Sequence, residues 1–155
     1  MDARVRRATL QDQAVVSQYN IAMAKETEDL ELDEKTVQAG VQAILSDPAK
    51  GTYFLLEEGG KIVAQLMITY EWSDWRNSQI WWVQSVYVHP DHRRRGLYKA
   101  LYRHIQTCAA AEKACGVRLY VDVGNNRAQQ TYKSLGMTSH YLVFEDMALT
   151  NGSSE

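Results

Sequence analysis

The segment Val86-Tyr87-Val88-His89-Pro90-Asp91-His92-Arg93-Arg94-Arg95-Gly96-Leu97-Tyr98 is the part of this chain best suited to chemistry. An apolar strand runs into a basic turn, and the turn opens a long helical pattern. Backbone N–H groups at a helix start have no partner within the helix, and the aligned peptide dipoles make that end positive. Such an end is a site for a phosphate or pyrophosphate. Gly96 lets the backbone approach a ligand closely, and the arginines add positive charge. Nucleic acid is the other anion to weigh. No aromatic stacking platform accompanies the arginines, and 17 basic against 19 acidic residues leave the chain at −2, so no nucleic-acid partner is expected.

The elements around this turn read as an α+β domain. Residues 3–8 alternate as a short strand, with Thr9 placed to cap a helix over 10–25. A second helix spans 34–46 and stops at Asp47-Pro48, since a residue before proline leaves the α region. Tyr53–Glu57 and Ile62–Trp72 are strands joined through Glu58-Gly59-Gly60-Lys61, and Gln79–Val88 is a third strand of this section. From Gly96 to Cys115 the apolar residues Leu97, Leu101, Ile105, Cys108 and Ala111 recur at helical spacing, with Gly116 as the expected stop. Val117–Val121 reads as a strand, Arg127–Leu135 as a helix and Tyr141–Met147 as a final strand.

The 155 residues, 45% hydrophobic and 23% charged, suit one domain with a core of its own, expected over 1–149 with a flexible polar tail at 150–155. Cys108 and Cys115 lie seven apart in one helical pattern, about 10 Å and too far for a disulfide. They read as reduced, and the chain as cytoplasmic. No Cys/His pair has zinc spacing, so no metal is expected. No apolar run approaches the roughly 18 residues of a membrane span, and none precedes the N-terminal arginines as in a signal peptide.

Two segments together resemble the GNAT superfamily of acyl-CoA-dependent N-acyltransferases. Arg93-Arg94-Arg95-Gly96-Leu97-Tyr98 is similar to its [R/Q]-x-x-G-x-[G/A] motif, with Tyr98 at the position of the small residue. Asn125-Asn126-Arg127-Ala128-Gln129-Gln130-Thr131-Tyr132-Lys133-Ser134-Leu135-Gly136-Met137 is similar to N-x-x-A-x-x-x-Y-x-x-x-G-F, with Met137 for Phe. The resemblance covers residues 52–148. It implies a mixed, mostly antiparallel sheet of six to seven strands with helices on both faces. It also implies acetyl-CoA as co-substrate, direct attack by an amine in a ternary complex, and pairing of two copies through sheet edges and C-terminal strands.

By the same resemblance, the pantetheine arm of the cofactor would pair with Val86 and Val88 as an added strand, through the stretch that includes Tyr87. Its pyrophosphate would rest on the amides from Arg94 to Lys99, and the Val86 region would offer an N–H to the oxyanion. Asn125 would touch the pantetheine arm, or cap its helix, or both. Tyr132 would protonate the departing thiolate; its spacing from Ala128 and Leu135 equally fits the core stripe of its helix. An amine must lose a proton before it attacks, and several relatives supply a Glu on the strand before the cofactor loop. Here Gln84 stands at that position. The proton then leaves through water or to another carboxylate, with Glu71 and Asp74 the first candidates and Glu26 and Glu28 the next.

Aromatic faces beside carboxylates are what a cationic amine binds. Tyr70-Glu71-Trp72-Ser73-Asp74-Trp75 faces Trp81-Trp82 across a turn, and Glu26, Glu28, Asp29, Glu31, Asp33 and Glu34 follow the first helix. Glu26, Glu28, Glu71, Trp72, Asp74, Trp75 and Gln84 are therefore the candidate acceptor contacts, and the resemblance extends to small-amine and polyamine N-acetyltransferases. The alternatives are a CoA-binding regulatory module without turnover, and a protein or peptide N-acetyltransferase.

Overall fold

The computed structural model describes residues 3–149; the expected polar tail at 150–155 lies outside them. The chain divides into two compact units, residues 1–119 and 120–155. The first holds β1 (Ala3–Arg7), α1 (Gln13–Glu28), α2 (Glu34–Ser46), β2 (Thr52–Glu58), β3 (Lys61–Ser73), β4 (Ser78–Val88), α3 (Leu97–Ala111) and β5 (Gly116–Arg118). The strands lie in the order β1-β2-β3-β4-β5. β1 to β4 are antiparallel neighbours, and β5 joins β4 in parallel.

The sheet is buried on both faces because its strands alternate between two apolar sets. Phe54, Leu66, Ile68, Trp81 and Val83 pack with Leu97, Leu101 and Ile105 of α3. Tyr53, Leu55 and Met67 pack with Val16 of α1 and Val41 of α2 on the other side. The β2–β3 hairpin turns through Gly59 and Gly60, both at positive φ (+58° and +78°), the conformation a tight two-residue hairpin needs. Asp33 caps α2 by accepting from the Thr36 amide at 3.0 Å, and Asp47 leaves that helix in extended conformation before Pro48.

Four expectations need correction. Among the described residues the sheet has five strands, where six to seven were expected. Tyr141–Met147 takes no strand, and Leu142 and Phe144 are exposed there; alternation alone stabilises nothing until a neighbour accepts the backbone hydrogen bonds. β5 also stops at Arg118, short of Val121. Finally, α3 ends at Ala111 instead of Cys115. Lys113 takes the left-handed conformation (φ +63°) expected of Gly116. Its amide donates to Ala110 and that of Ala114 to Ala109, which together satisfy the last carbonyls. Gly116 instead opens β5 opposite Ile80. Cys115 thus lies outside the helix, and both cysteines are free.

Arg6 ties the edge strand to the core. Its guanidinium donates to both Asp12 oxygens (2.9 and 2.8 Å) and to Glu57 (2.7 Å). Those hydrogen bonds hold the buried Asp12 carboxyl below its ordinary range. A depressed carboxyl stabilises the fold above its unfolded pKa and loses that effect as pH falls through the folded value. Asp12→Asn is expected to cost about 2 kcal/mol at neutral pH. In urea unfolding the gap to wild type should close as pH falls below the depressed value, and a gap that stays constant with pH would remove the ion pair as its cause.

The second unit carries α4 (Asn126–Ser134). Asn125 caps it, accepting from the Ala128 amide at 3.1 Å. The chain leaves α4 through Gly136 at φ +90°, with the Met137 amide returning to the Tyr132 carbonyl.

Candidate active site

Two features of the first unit meet at the end of β4. One is an open strand edge. β5 pairs only with Ile80–Trp82, so from Val83 to Val88 no described strand lies on that side of β4. The His89 amide donates to the Val63 carbonyl of β3 at 2.9 Å, and Tyr87 lies opposite Gln65 in the same ladder. By alternation, Val86 and Val88 turn their backbone groups away from β3 and toward the open edge.

The other feature is the start of α3. Arg94 and Gly96 both adopt positive φ (+63° and +74°), a winding that leaves the amides of the turn unspent. Among the described residues, the amides of Arg94, Arg95, Gly96, Leu97 and Lys99 donate to no acceptor. A Cβ added at Gly96 would meet nothing within 4 Å, so the glycine is required by the backbone angle and not by crowding inside the protein. Open amides at the positive end of a 15-residue helix are a cradle for a diphosphate.

The arginines do less than their number suggests. Arg93 donates to Glu26 at 2.7 Å and to the Val88 carbonyl at 2.8 Å, and its guanidinium lies 5.4 Å from the Tyr87 ring centre. Arg95 grips both oxygens of Glu58 (2.9 and 2.7 Å), which lowers that carboxyl's pKa. Two of the three guanidiniums are therefore anchored to carboxylates of the fold. Arg94 and Lys99 form no ion pair among the described residues. Amides and these two cations remain for an anionic ligand. Tyr98 is half-buried against the apolar cluster below, which accounts for a bulky residue in the place of a small one.

The candidate acceptor residues separate into groups. Glu26, on α1, accepts from Arg93 and from the Tyr87 hydroxyl at 2.9 Å. The pair with Arg93 lowers the Glu26 carboxyl; burial and the bond to Glu26 push the Tyr87 phenol up to about 12. Glu28 is exposed at the end of α1. Gln84 donates its amide to Thr69 at 2.6 Å. Glu71 accepts from the Trp82 indole at 2.7 Å and from Arg118 at 3.1 Å, bonds that hold its carboxyl below the usual range and suit it better to holding positive charge than to taking a proton. Asp74 and Trp75 sit in the exposed β3–β4 turn, about 27 Å along the strand from Val86 at 3.4 Å per residue. Trp72 is exposed and alternates to the face opposite Glu71.

Asn125 and Tyr132 stand on one helix of the second unit, the former as its cap. Tyr132 is half-buried, and burial raises its phenol. Among the described residues, no group of three or more His, Cys, Asp or Glu could hold a metal ion, and no described helix is long and apolar enough to cross a membrane.

A buried polar group behind the open edge was not anticipated from the sequence. Gln65 of β3 is fully buried, bonded to Asn20 at 2.8 Å and to the Ser85 carbonyl at 3.4 Å. Asn20 in turn donates to the Tyr53 hydroxyl at 2.9 Å. The only trace of this group in the sequence is a glutamine inside the apolar run Val63-Ala64-Gln65-Leu66-Met67.

Comparison with known proteins agrees with this geometry. The profile of the acetyltransferase (GNAT) family matches residues 15–137. A crystal structure of a possible acetyltransferase from Clostridium difficile 630 is similar at 40% identity and TM-score 0.89, over 96% of this chain and 99% of that one. A predicted acetyltransferase from Clostridium acetobutylicum, solved with acetyl-CoA, shares the fold at 15% identity and TM-score 0.76, over 93% and 96% of the two chains. An aminoglycoside acetyltransferase from an uncultured soil metagenomic sample does so at 21% and 0.75, over 94% and 98%. None of the curated proteins matches the chain.

Proposed function

Because the chain belongs to the GNAT acetyltransferase family, we propose that it is a cytoplasmic enzyme moving an acetyl group from acetyl-CoA to a primary amine of a small cationic molecule, by direct attack in a ternary complex. The observation that carries this reading is the set of open amides where α3 begins. Acetyl-CoA supplies an activated thioester. The amides from Arg94 to Lys99 hold its diphosphate. The backbone of Val86 and Val88 would accept its extended arm as an added strand, and the Val86 N–H would serve the acyl oxygen as it gathers charge. The family's other two roles, a pantetheine contact for Asn125 and a proton for the departing thiolate from Tyr132, fall in the second unit and stand by resemblance alone.

On the acceptor side, Glu26 and Glu71 each share their charge with an arginine, Arg93 and Arg118, and a cationic amine would compete for them beside the aromatic face of Trp82. This favours an amine carrying a second cationic centre, as in polyamine acetyltransferases. Gln84 takes no proton, so the ammonium proton leaves through water. The test is release of free CoA from acetyl-CoA against a panel of mono-, di- and polyamines and short peptides. Turnover strongest with di- and polyamines is expected; turnover confined to peptides overturns the small-amine reading. Binding of acetyl-CoA without turnover across the panel would favour the second reading, a CoA-responsive module, for which the amide of Gln84 and the engaged carboxylate of Glu71 speak.

We also infer that two copies pair through residues 141–149. Tyr141, Leu142, Val143, Phe144, Met147 and Leu149 are each more than half exposed. At the 150–250 Å² of a large aromatic side chain, and rather less for an aliphatic one, they leave roughly 800 Å² of apolar surface, about one partner's share of a stable interface. In sedimentation velocity, wild type is expected as a dimer and Phe144→Asp as a folded monomer. A monomeric wild type at micromolar concentration removes the pairing.

A further inference from the structure

We propose that Gln65 and Asn20 are positioning residues that hold β4 in the register the donor's arm requires, an inference resting on acetyl-CoA as the donor. The register of β4 on β3 jumps between Met67↔Gln84 and Gln65↔Tyr87, so Ser85 and Val86 together face the single residue Leu66. This is a β-bulge, and its extra residue reverses which backbone groups beyond it face the sheet and which face outward. Without it, Val86 and Val88 would turn their N–H and C=O groups into the β3 ladder. The open edge would then present Tyr87 and its neighbours in the wrong phase.

The bulge is held against a conformational cost. Ser85 sits at φ +53°, in the left-handed region that costs a non-glycine residue about 1–2 kcal/mol. Such a residue persists where its surroundings over-determine it. Here the Gln65 carboxamide reaches the Ser85 carbonyl from β3 and is itself fixed by Asn20 of α1. Asn20 is anchored in turn on Tyr53 of β2. Three elements thus converge on one strained residue.

The group is also uneconomical as mere core. The Gln65 Oε1 is buried without a partner, and so is the Ser17 Oγ one turn before Asn20 on α1. Met67, two residues on from Gln65 along β3, belongs to the apolar cluster it forms with Val16 and Leu55. A buried acceptor left unpaired costs about 1–3 kcal/mol. An apolar pair in place of Gln65 and Asn20 would relieve that cost. The polar pair does what an apolar pair could not: it donates to the Ser85 carbonyl.

The test replaces both partners at once, Gln65→Met with Asn20→Leu, so that neither amide is left facing an apolar side chain, while the Tyr53 hydroxyl keeps its bond to the Ser85 side chain. Calorimetry with two ligands reads the result: acetyl-CoA, whose arm must lie along β4, and adenosine 3′-phosphate 5′-diphosphate, which needs only the α3 amides. The double variant is expected to keep the wild-type melting temperature within a few degrees. It should bind the nucleotide within twofold of wild type and acetyl-CoA at least tenfold more weakly. Equal weakening of both ligands marks general damage, and unchanged acetyl-CoA affinity shows that the bulge needs no such support; either result overturns the proposal. If the variant unfolds, Gln65→Met with Asn20 intact, which keeps the side-chain length, removes the donor and leaves Asn20 on Tyr53, serves for the same pair of titrations with the same outcomes. Wild type that fails to take up acetyl-CoA sinks the donor reading itself, and this inference with it.

Discussion

Gly96→Asp is expected to weaken acetyl-CoA binding about 100-fold, or ~2.7 kcal/mol. Two effects add. The residue sits at φ +74°, where a side chain other than glycine costs about 1–2 kcal/mol and the turn relaxes away from its amide-presenting shape. The carboxylate then stands where the diphosphate must lie, replacing the positive end of the helix with a negative charge. Crowding within the protein contributes nothing, because a Cβ here meets open space. Gly96→Asn separates the two effects, since asparagine tolerates the left-handed region and carries no charge. It should bind within about tenfold of wild type. Calorimetry on both variants, each checked for an unchanged melting temperature, decides. An aspartate variant that binds like the asparagine one removes the diphosphate from this corner, and with it the proposed donor.

What the sequence made legible follows from how local each feature is. The strand-turn-helix at Val86 to Tyr98 is contiguous, so its residue types state its shape. The end of α2 was readable because Pro48 acts within a few residues of it. The charge state of the turn was not, because its partners are distant: Arg93 meets Glu26, 67 residues away, and Arg95 meets Glu58, 37 away. A block of three arginines therefore overstated the positive field. The bulge at Ser85 was hidden for a related reason. Alternation through Gln79–Val88 reads the same with or without one extra residue until the partner strand is known, and the partner's Gln65 looks like an isolated exception in an apolar run. The end of α3 misled differently. Gly116 is the residue best suited to a left-handed stop, yet the backbone closed three residues earlier at Lys113, where carbonyls of Ala109 and Ala110 found donors.

Tyr132→Phe is expected to lower kcat about 100-fold while the acetyl-CoA dissociation constant stays within threefold, the loss typical of removing a positioned general acid. The second unit supplies the requirements separately. Asn125 fixes the start of the helix, the Met137 amide closes its other end on the Tyr132 carbonyl, and burial raises the phenol above its ordinary value. The phenol therefore keeps its proton through the whole neutral range, as a general acid must, while the raised value makes it the weaker donor, so its contribution rests on position and not on acidity. The direction of the shift fixes the pH dependence: loss of activity from ionisation of Tyr132 should begin only above the ordinary tyrosine pKa of about 10, and the Phe variant should lack that alkaline limb. The competing role is packing. The ring is retained in phenylalanine, so a packing role predicts wild-type kcat with at most a small drop in melting temperature, about that of one lost hydrogen bond, ~1 kcal/mol. Turnover and thermal melts on the same preparation therefore part the two roles, and an unchanged kcat would take Tyr132 out of the chemistry.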